Sequence, residues 1–147
     1  MILLDTNVLS AVMQKDPPEA VIAWLNRQPA SSVWTTAVTV FEVEFGLCRL
    51  PEGQRRTRLE RAFRALLADE LGGRVLAFDA AAALAAGSIS AAFEAEGRPV
   101  EIRDVQIAGI ARARQAVVAT RNAKHFERVC KVVDPWAEGP QGRARRS

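Results

Sequence analysis

The chain has few of the residues that build zinc sites and serine-hydrolase sites. Its 147 residues include one histidine, His125, and two cysteines, Cys48 and Cys130, which form no CxxC pair. A zinc site built from cysteine and histidine is therefore not expected. We expect both cysteines to be buried free thiols of a cytoplasmic protein. The sequence also contains no GxSxG nucleophile elbow, which argues against a Ser–His–Asp hydrolase.

Long hydrophobic runs are absent as well. No apolar run approaches the roughly 20 residues that a membrane-spanning helix needs. The apolar run at the N-terminus follows no basic region, so it does not have the pattern of a signal peptide. With 49% hydrophobic and 25% charged residues, the composition is typical of a soluble folded protein. We expect one cytoplasmic domain without a membrane partner.

The net charge of +3 is concentrated at the C-terminus, and without Arg143, Arg145 and Arg146 it is close to zero. The segment 137–147 is polar, and we expect it to be a disordered tail. No aromatic-rich RNA-binding motif is visible. One internal segment, 49–64, is rich in arginine. It favours equally an RNA-facing or partner-facing surface and an ordinary solvated helix face.

Short apolar runs alternate with amphipathic segments along the chain. Strands are predicted at 2–4, 31–36, 74–78, 116–119 and 131–133. A first helix is predicted from its cap residue Thr6 to about residue 13, and a second begins after the break at Pro17 and Pro18 and runs to about residue 28. Further helices are predicted over 39–50, 54–71, 80–96 and 102–115. Because helices separate the strands, we predict a single α/β domain with a parallel sheet.

Polar side chains follow strand ends or helix starts at four places. Asp5 follows the first strand, Glu42 and Asp104 lie near helix starts, and Asn122 follows the run AVVATR. A doubly wound sheet brings such positions together at one edge. Carboxylates gathered there repel one another unless a cation neutralises them, and Mg²⁺ and Mn²⁺ favour oxygen ligands. Metal-activated water attacking a phosphodiester is the chemistry of such a site.

Each acidic residue also has a purely structural explanation. Asp5 can cap the helix that follows it. Thr39 and Glu42 have the spacing of a capping box, and Asp104 can complement a helix dipole. Spacing alone also leaves three other acidic residues open as members of the site: Asp79, Glu44 and Asp134.

Five short motifs occur in order along the chain. The opening LLDTNVLS is followed by TxxExxxG, formed by Thr39, Glu42 and Gly46, and by IRDVQIA over 102–108. VATRNAKHF over 118–126 and VVDPW over 132–136 complete the series. In this order and at these separations, the chain resembles a PIN-domain ribonuclease of the kind that serves as a VapC toxin. The resemblance implies a three-layer α/β/α fold with a short central parallel sheet over 1–136.

The resemblance also implies a metal-dependent endoribonuclease. Carried over by motif, Asp5, Glu42 and Asp104 are the catalytic acidic residues and hold Mg²⁺ or Mn²⁺. Asn122 stands at a position that is often acidic in the family and is expected to be a weak, uncharged ligand. Two hydroxyl residues are expected to support the same pocket: Thr6 and Thr120.

The resemblance implies partners too. They are an RNA substrate, often transfer RNA in this family, a second copy in a homodimer, and a small antitoxin that blocks the site. The helices over 39–71 are the expected antitoxin surface. Arg103, Arg112 or Arg121 are candidates to steady the RNA backbone, although each is also explained as a surface or helix-pairing arginine.

Two other functions compete with the nuclease. A degenerate PIN domain, weakened by the uncharged Asn122, would act as an RNA-binding or partner-binding module. A haloacid-dehalogenase-type phosphatase also begins with a strand and an Asp. It needs a second Asp two residues later, where this chain has Asn7.

Overall fold

A five-stranded parallel sheet forms the middle layer of the computed structural model, which describes residues 1–137. The strands are β1 (Ile2–Leu4), β2 (Val33–Thr36), β3 (Val75–Leu76), β4 (Val117–Ala119) and β5 (Lys131–Val133), in the order β3-β2-β1-β4-β5. β2 and β3 are added in turn on one side of β1, and β4 and β5 are then added on the other side. The crevice between β1 and β4 is therefore the point where ligands bind in such sheets.

Helices cover both faces of the sheet. They are α1 (Thr6–Met13), α2 (Glu19–Asn26), α3 (Ala37–Cys48), α4 (Gln54–Ala65), α5 (Ala80–Ala95) and α6 (Ile102–Arg114). One π turn, Leu66–Glu70, continues α4, and short 3-10 turns occupy Ala30–Ser32 and Ala123–His125. The predicted three-layer α/β/α fold is confirmed. Of the predicted tail, residues 138–147 lie outside the described part of the chain.

Two apolar clusters, one on each side of the sheet, explain why the strands are apolar without alternation. Successive side chains of a strand point to opposite faces. Leu3 accordingly packs with α5 and α6, whereas Leu4 packs with residues of α1 to α4. Both leucines are about 1% exposed. A strand buried on both faces needs hydrophobic residues at every position.

The helix starts differ from the sequence prediction at two places. Asp5, and not Thr6, is the residue before α1, and its carboxylate accepts from the Thr6 N–H at 2.8 Å. Thr36 caps α3 by accepting from the Thr39 N–H at 3.0 Å. Helix α3 therefore begins at Ala37, so the predicted start at Thr39 is wrong, and the capping box that was the structural alternative for Glu42 does not form. In both cases the helix follows the strand without a loop, so the cap is the residue directly after the strand, Asp5, or the last residue of the strand, Thr36.

Other predicted boundaries were too long. The predicted strands 31–36 and 74–78 are shortened to Val33–Thr36 and Val75–Leu76. The helix predicted to end near 28 ends at Asn26. Asp79 caps α5 as expected, through the N–H of Ala82 at 3.0 Å.

Both cysteines are free, as predicted, but only one is shielded. Cys130 is half-buried, and burial raises the pKa of its thiol to about 11. Cys48 is exposed near the end of α3, where its thiol contacts Glu44 Oε1 at 3.5 Å. The expectation of two buried thiols is therefore wrong for Cys48. Within residues 1–137, no helix has both the length and the hydropathy to cross a membrane.

Helices α5 and α6 approach closely at Gly109. A Cβ atom at this position would lie 2.5 Å from the backbone oxygen of Ala82 and 2.8 Å from the Ala86 Cβ. Backbone cannot move aside as a flexible side chain can, so the two helices would have to separate. The alanine-rich sequence of α5 and the glycine of α6 together permit this contact.

We predict that Gly109→Ala destabilises the protein by about 1–3 kcal/mol, because the added methyl group forces the two helices apart. Gly87→Ala is the matched control. It lies within α5, where a Cβ meets no atom within 4 Å. The helix propensity of alanine should make that variant neutral or up to about 1 kcal/mol more stable. Urea denaturation measures both, and equal stability of the two variants would contradict the close contact.

Candidate active site

The centre of the candidate site is Asp5, which directly follows β1 beside the end of β4. Its side chain is only 5% exposed. One carboxylate oxygen accepts from the Thr6 N–H at 2.8 Å, and the other accepts from the Thr120 hydroxyl at 2.8 Å. The Asp5 N–H donates to the Ala119 carbonyl oxygen at 3.0 Å. The carboxylate is therefore held between the ends of two neighbouring strands.

Asn7 connects the same two strand ends. Its amide nitrogen lies 3.2 Å from Thr120 Oγ1 and 3.4 Å from Asp5 Oδ2. Its side-chain oxygen accepts from the Arg121 N–H at 3.1 Å. In the sequence, Asn7 was notable only as the position where a phosphatase would need a second aspartate, and no role in the site was predicted for it. Its position two residues after Asp5, in the opening motif, was the available signal.

Glu42 reaches the site from the second turn of α3. Its Oε1 accepts from the Thr6 hydroxyl at 3.0 Å, and its Oε2 lies 3.9 Å from the guanidinium of Arg103. Thr6 therefore contacts two of the three predicted carboxylates, Asp5 through its N–H and Glu42 through its hydroxyl. These contacts fit the supporting role expected for Thr6.

Asp104 lies in the first turn of α6 with its side chain 26% exposed. Its Oδ2 is 3.0 Å from Nδ1 of His125, and its N–H donates to the cap residue Glu101. His125 belongs to the 3-10 turn that follows β4. This contact was not predicted from the sequence, although His125 is the only histidine in the chain.

Burial is the largest cause of a raised pKa at all three carboxylates. At Asp5 the charge of Asp104 adds to the effect of burial. The pKa of Glu42 is raised first by burial and further by the charges of Asp5 and Asp104, although Arg103 opposes this. Burial also raises the pKa of Asp104, and His125 opposes the shift. The negative charge of Asp104 therefore acts on both Asp5 and Glu42.

The donor chemistry fits a hard divalent cation. Mg²⁺ and Mn²⁺ prefer carboxylate oxygen, and a bound cation would favour the ionised carboxylates that burial disfavours. Within residues 1–137, no three His, Cys, Asp or Glu side chains are already grouped closely enough to hold a metal ion. The residues therefore match a divalent cation in their charge and in their oxygen donors.

Asn122 and Thr120 lie in the loop after β4. Thr120 is fully buried and accepts from the Asn122 N–H at 3.0 Å while it donates to Asp5. Asn122 itself is exposed at the edge of the site. The supporting position expected for Thr120 agrees with these contacts, whereas a ligand role for Asn122 stays a prediction.

The remaining candidates have contacts elsewhere. Among the arginines, Arg103 lies beside Glu42, whereas Arg112 bonds the Val129 carbonyl oxygen and Arg121 lies over the Trp136 ring. The three other acidic residues each have a local contact: Asp79 caps α5, Glu44 contacts Cys48, and Asp134 accepts from the Trp136 N–H.

The fold and this site define a class of protein: a doubly wound α/β domain with an acidic centre at the end of its central strand. A model of the PIN domain matches residues 2–132. The chain belongs to the PIN-domain family, as its five motifs had suggested.

Several curated relatives match over most of their length. VapC ribonuclease Y4jK of Sinorhizobium fredii is 36% identical over 92% of this chain and 98% of that protein. Toxin FitB of Neisseria gonorrhoeae is 32% identical over 92% and 99%. The tRNA(fMet)-specific endonuclease VapC of Shigella flexneri is 32% identical over 86% and 90%.

The crystal structure of FitAcB from Neisseria gonorrhoeae contains a chain with the same fold. Its TM-score to this protein is 0.84 at 32% identity, and the match covers 93% of this chain and 99% of that chain.

The raised pKa of Glu42 has a consequence for stability. The folded state favours the neutral carboxyl of Glu42, so the contribution of this group to folding stability is fully present below its unfolded-state pKa of about 4.3. This contribution to stability is lost as the pH rises through the folded-state pKa. Without metal, ionised Glu42 therefore destabilises the protein at neutral pH.

We predict that Glu42→Gln stabilises the metal-free protein at pH 7.5, by about 1 kcal/mol at most because Glu42 is partly solvated. The amide oxygen can still accept from Thr6, and the gain should vanish below about pH 4. Chemical denaturation in EDTA at several pH values measures it, with exposed Glu44→Gln as the control. A Glu42→Gln variant that is no more stable than the wild type at pH 7.5 would refute the argument.

Proposed function

We propose that this protein is a divalent-metal-dependent endoribonuclease and the toxin of a toxin–antitoxin pair. The observation that carries the proposal is the acidic centre, in which Asp5 follows β1, Glu42 comes from α3 and Asp104 from α6, and burial raises the pKa of all three. The ribonuclease and toxin names of its relatives support the same activity. Cytoplasmic RNA is the substrate that this activity would meet.

In the proposed mechanism, Asp5 and Asp104 would hold Mg²⁺ or Mn²⁺, and Glu42 would bind it directly or through water. When bound, the ion would supply activation of a water molecule and positive charge for the phosphate. The protein's own contribution is orientation. Thr6 and Thr120 fix the Asp5 carboxylate, and His125 contacts Asp104 from the other side. One of the carboxylates accepts the proton of the attacking water.

Transfer RNA is the proposed substrate class. The support is the printed name of the Shigella relative, a tRNA(fMet)-specific endonuclease that is 32% identical to this chain. Arg103 is the cation beside the carboxylates, since its guanidinium lies 3.9 Å from Glu42. It is the arginine that we expect to contact the RNA backbone near the cut.

We propose that the antitoxin covers the outer face of α3, within the predicted surface 39–71, and that the protein forms a homodimer. Phe41 and Phe45 are 59% and 47% exposed on this helix. Their rings stack with centroids 6.2 Å apart, and the Arg49 guanidinium lies 5.3 Å from the Phe45 centroid. Exposed aromatic residues of this kind are typical of a binding surface.

We predict that the wild-type protein cleaves RNA in a transfer-RNA pool with Mn²⁺ and not with EDTA. Asp5→Asn should lower the cleavage rate at least about a hundredfold, because it removes a charged ligand from the reacting centre. Asp79→Asn is the control, since asparagine also caps a helix and Asp79 lies outside the site. Gel analysis measures the products, and full activity of Asp5→Asn would contradict the assignment of Asp5 as a catalytic metal ligand.

The same assay separates the nuclease from a binding module. RNA that is bound without divalent ions and left uncut by the wild type would favour the degenerate PIN domain.

We also predict that Asn122→Asp tightens Mn²⁺ binding by about tenfold, because a fourth carboxylate adds charge to the site. Calorimetric titration with Mn²⁺ gives the dissociation constant. Asn26→Asp is the matched control, because Asn26 ends α2 and is not among the site residues. Unchanged affinity in Asn122→Asp would place residue 122 outside the metal site.

A further inference from the structure

A pocket of about 170 Å³ opens beside the acidic centre, between α5, α6 and the turn after β4. Asp104 and His125 line this pocket, and their 3.0 Å contact also belongs to the candidate active site. Asp104 therefore belongs both to the pocket and to the acidic centre. None of the proposed catalytic steps uses this pocket.

The inner wall of the pocket is apolar. Ile89, Val105 and Ala108 are nearly fully buried and belong to the core between α5 and α6. Phe93 is partly buried against that core. The guanidinium of Arg98 lies 5.4 Å from the centroid of the Phe93 ring. The pocket thus combines an apolar wall with an aromatic ring and a planar cation.

Three basic side chains line the pocket: Arg98, Lys124 and Arg128. Arg98 and Arg128 both contact Glu96 Oε2, at 3.8 and 3.2 Å. The carboxylates of Glu101 and Asp104 also belong to the lining, so the pocket presents both signs of charge. Its cations offer contacts for phosphate that the acidic centre does not.

We propose that this pocket binds one unpaired base of the RNA, next to the phosphodiester that is cut, and sets the base preference there. Proteins read single-stranded RNA by stacking splayed bases on aromatic rings and arginine planes, as Phe93 and Arg98 are placed to do. The volume is below the 300–1,000 Å³ typical of drug-sized ligands, which suits a single base. The proposal rests on the proposed ribonuclease function.

The binding test uses the four ribonucleoside 5′-monophosphates in EDTA, followed by NMR of the ¹⁵N-labelled protein. At least one nucleotide should shift the amide signals of Phe93, Ala108 and His125. Ribose 5-phosphate, which lacks a base, should leave them nearly unchanged. Equal shifts with ribose 5-phosphate would reveal an anion site only and overturn the proposal, as would no shift with any nucleotide.

Phe93→Leu tests the stacking surface, because leucine keeps an apolar side chain and removes the ring. Nucleotide affinity should fall about tenfold. Leu84→Ala is the control on the same helix, since Leu84 is 78% exposed and does not line the pocket. If Phe93→Leu binds nucleotides as tightly as the wild type does, the pocket is not a base site. Loss of antitoxin binding alone would assign the pocket to the protein partner, which also overturns the proposal.

A cleavage test distinguishes this proposal from the nuclease assignment. Sequencing the cut ends of a random RNA pool in Mn²⁺ gives the base distribution on each side of the cut. Phe93→Leu should flatten that distribution at one position, while Leu84→Ala preserves it. An unchanged distribution would overturn the base pocket alone. Failure of the wild type to cut any RNA would overturn the nuclease function. The NMR titration with nucleotides would still test whether the pocket binds a base.

Discussion

The geometry of the site depends on one buried carboxylate, that of Asp5, held between the Thr6 N–H and the Thr120 hydroxyl. A buried charge is costly unless it accepts hydrogen bonds. These bonds offset that cost and also connect β1 to the loop after β4. The Thr6 hydroxyl also donates a hydrogen bond to Glu42, which connects α3 to the residue that holds the Asp5 carboxylate.

Much of the fold could be predicted from the sequence, because strands buried on both faces leave short apolar runs such as Ile2–Leu4. Asp5, Glu42 and Asp104 lie at the same edge of the sheet, since strand ends and helix starts share that edge, and their role as metal ligands stays a prediction. The first residues of the helices were harder to predict from the sequence. Thr36 and Thr39 are both plausible caps from local spacing, and the end of β2 decides between them. Asn7 and His125 were missed because their partners are distant in sequence, 113 and 21 residues away.

Few cations lie beside the carboxylates of the site. Of the arginines considered for RNA binding, only Arg103 does so, while Arg112 and Arg121 contact Val129 and Trp136. Without a further cation, the carboxylates would repel an incoming phosphate. Three more cations line the pocket that includes Asp104: Arg98, Lys124 and Arg128. These residues could attract the RNA backbone, while a phosphate at the acidic centre would still need a counter-charge.

Two strands of this sheet run into their helices without an intervening loop, at Asp5 between β1 and α1 and at Thr36 between β2 and α3. A residue inserted at either junction would rotate the following helix and carry the side chains of Thr6 or Glu42 away from Asp5. Changes in chain length are tolerated where connections are exposed and make few contacts. Engineers who wish to add a tag, a label or a new loop should therefore avoid this edge and use the turns at the opposite ends of the strands.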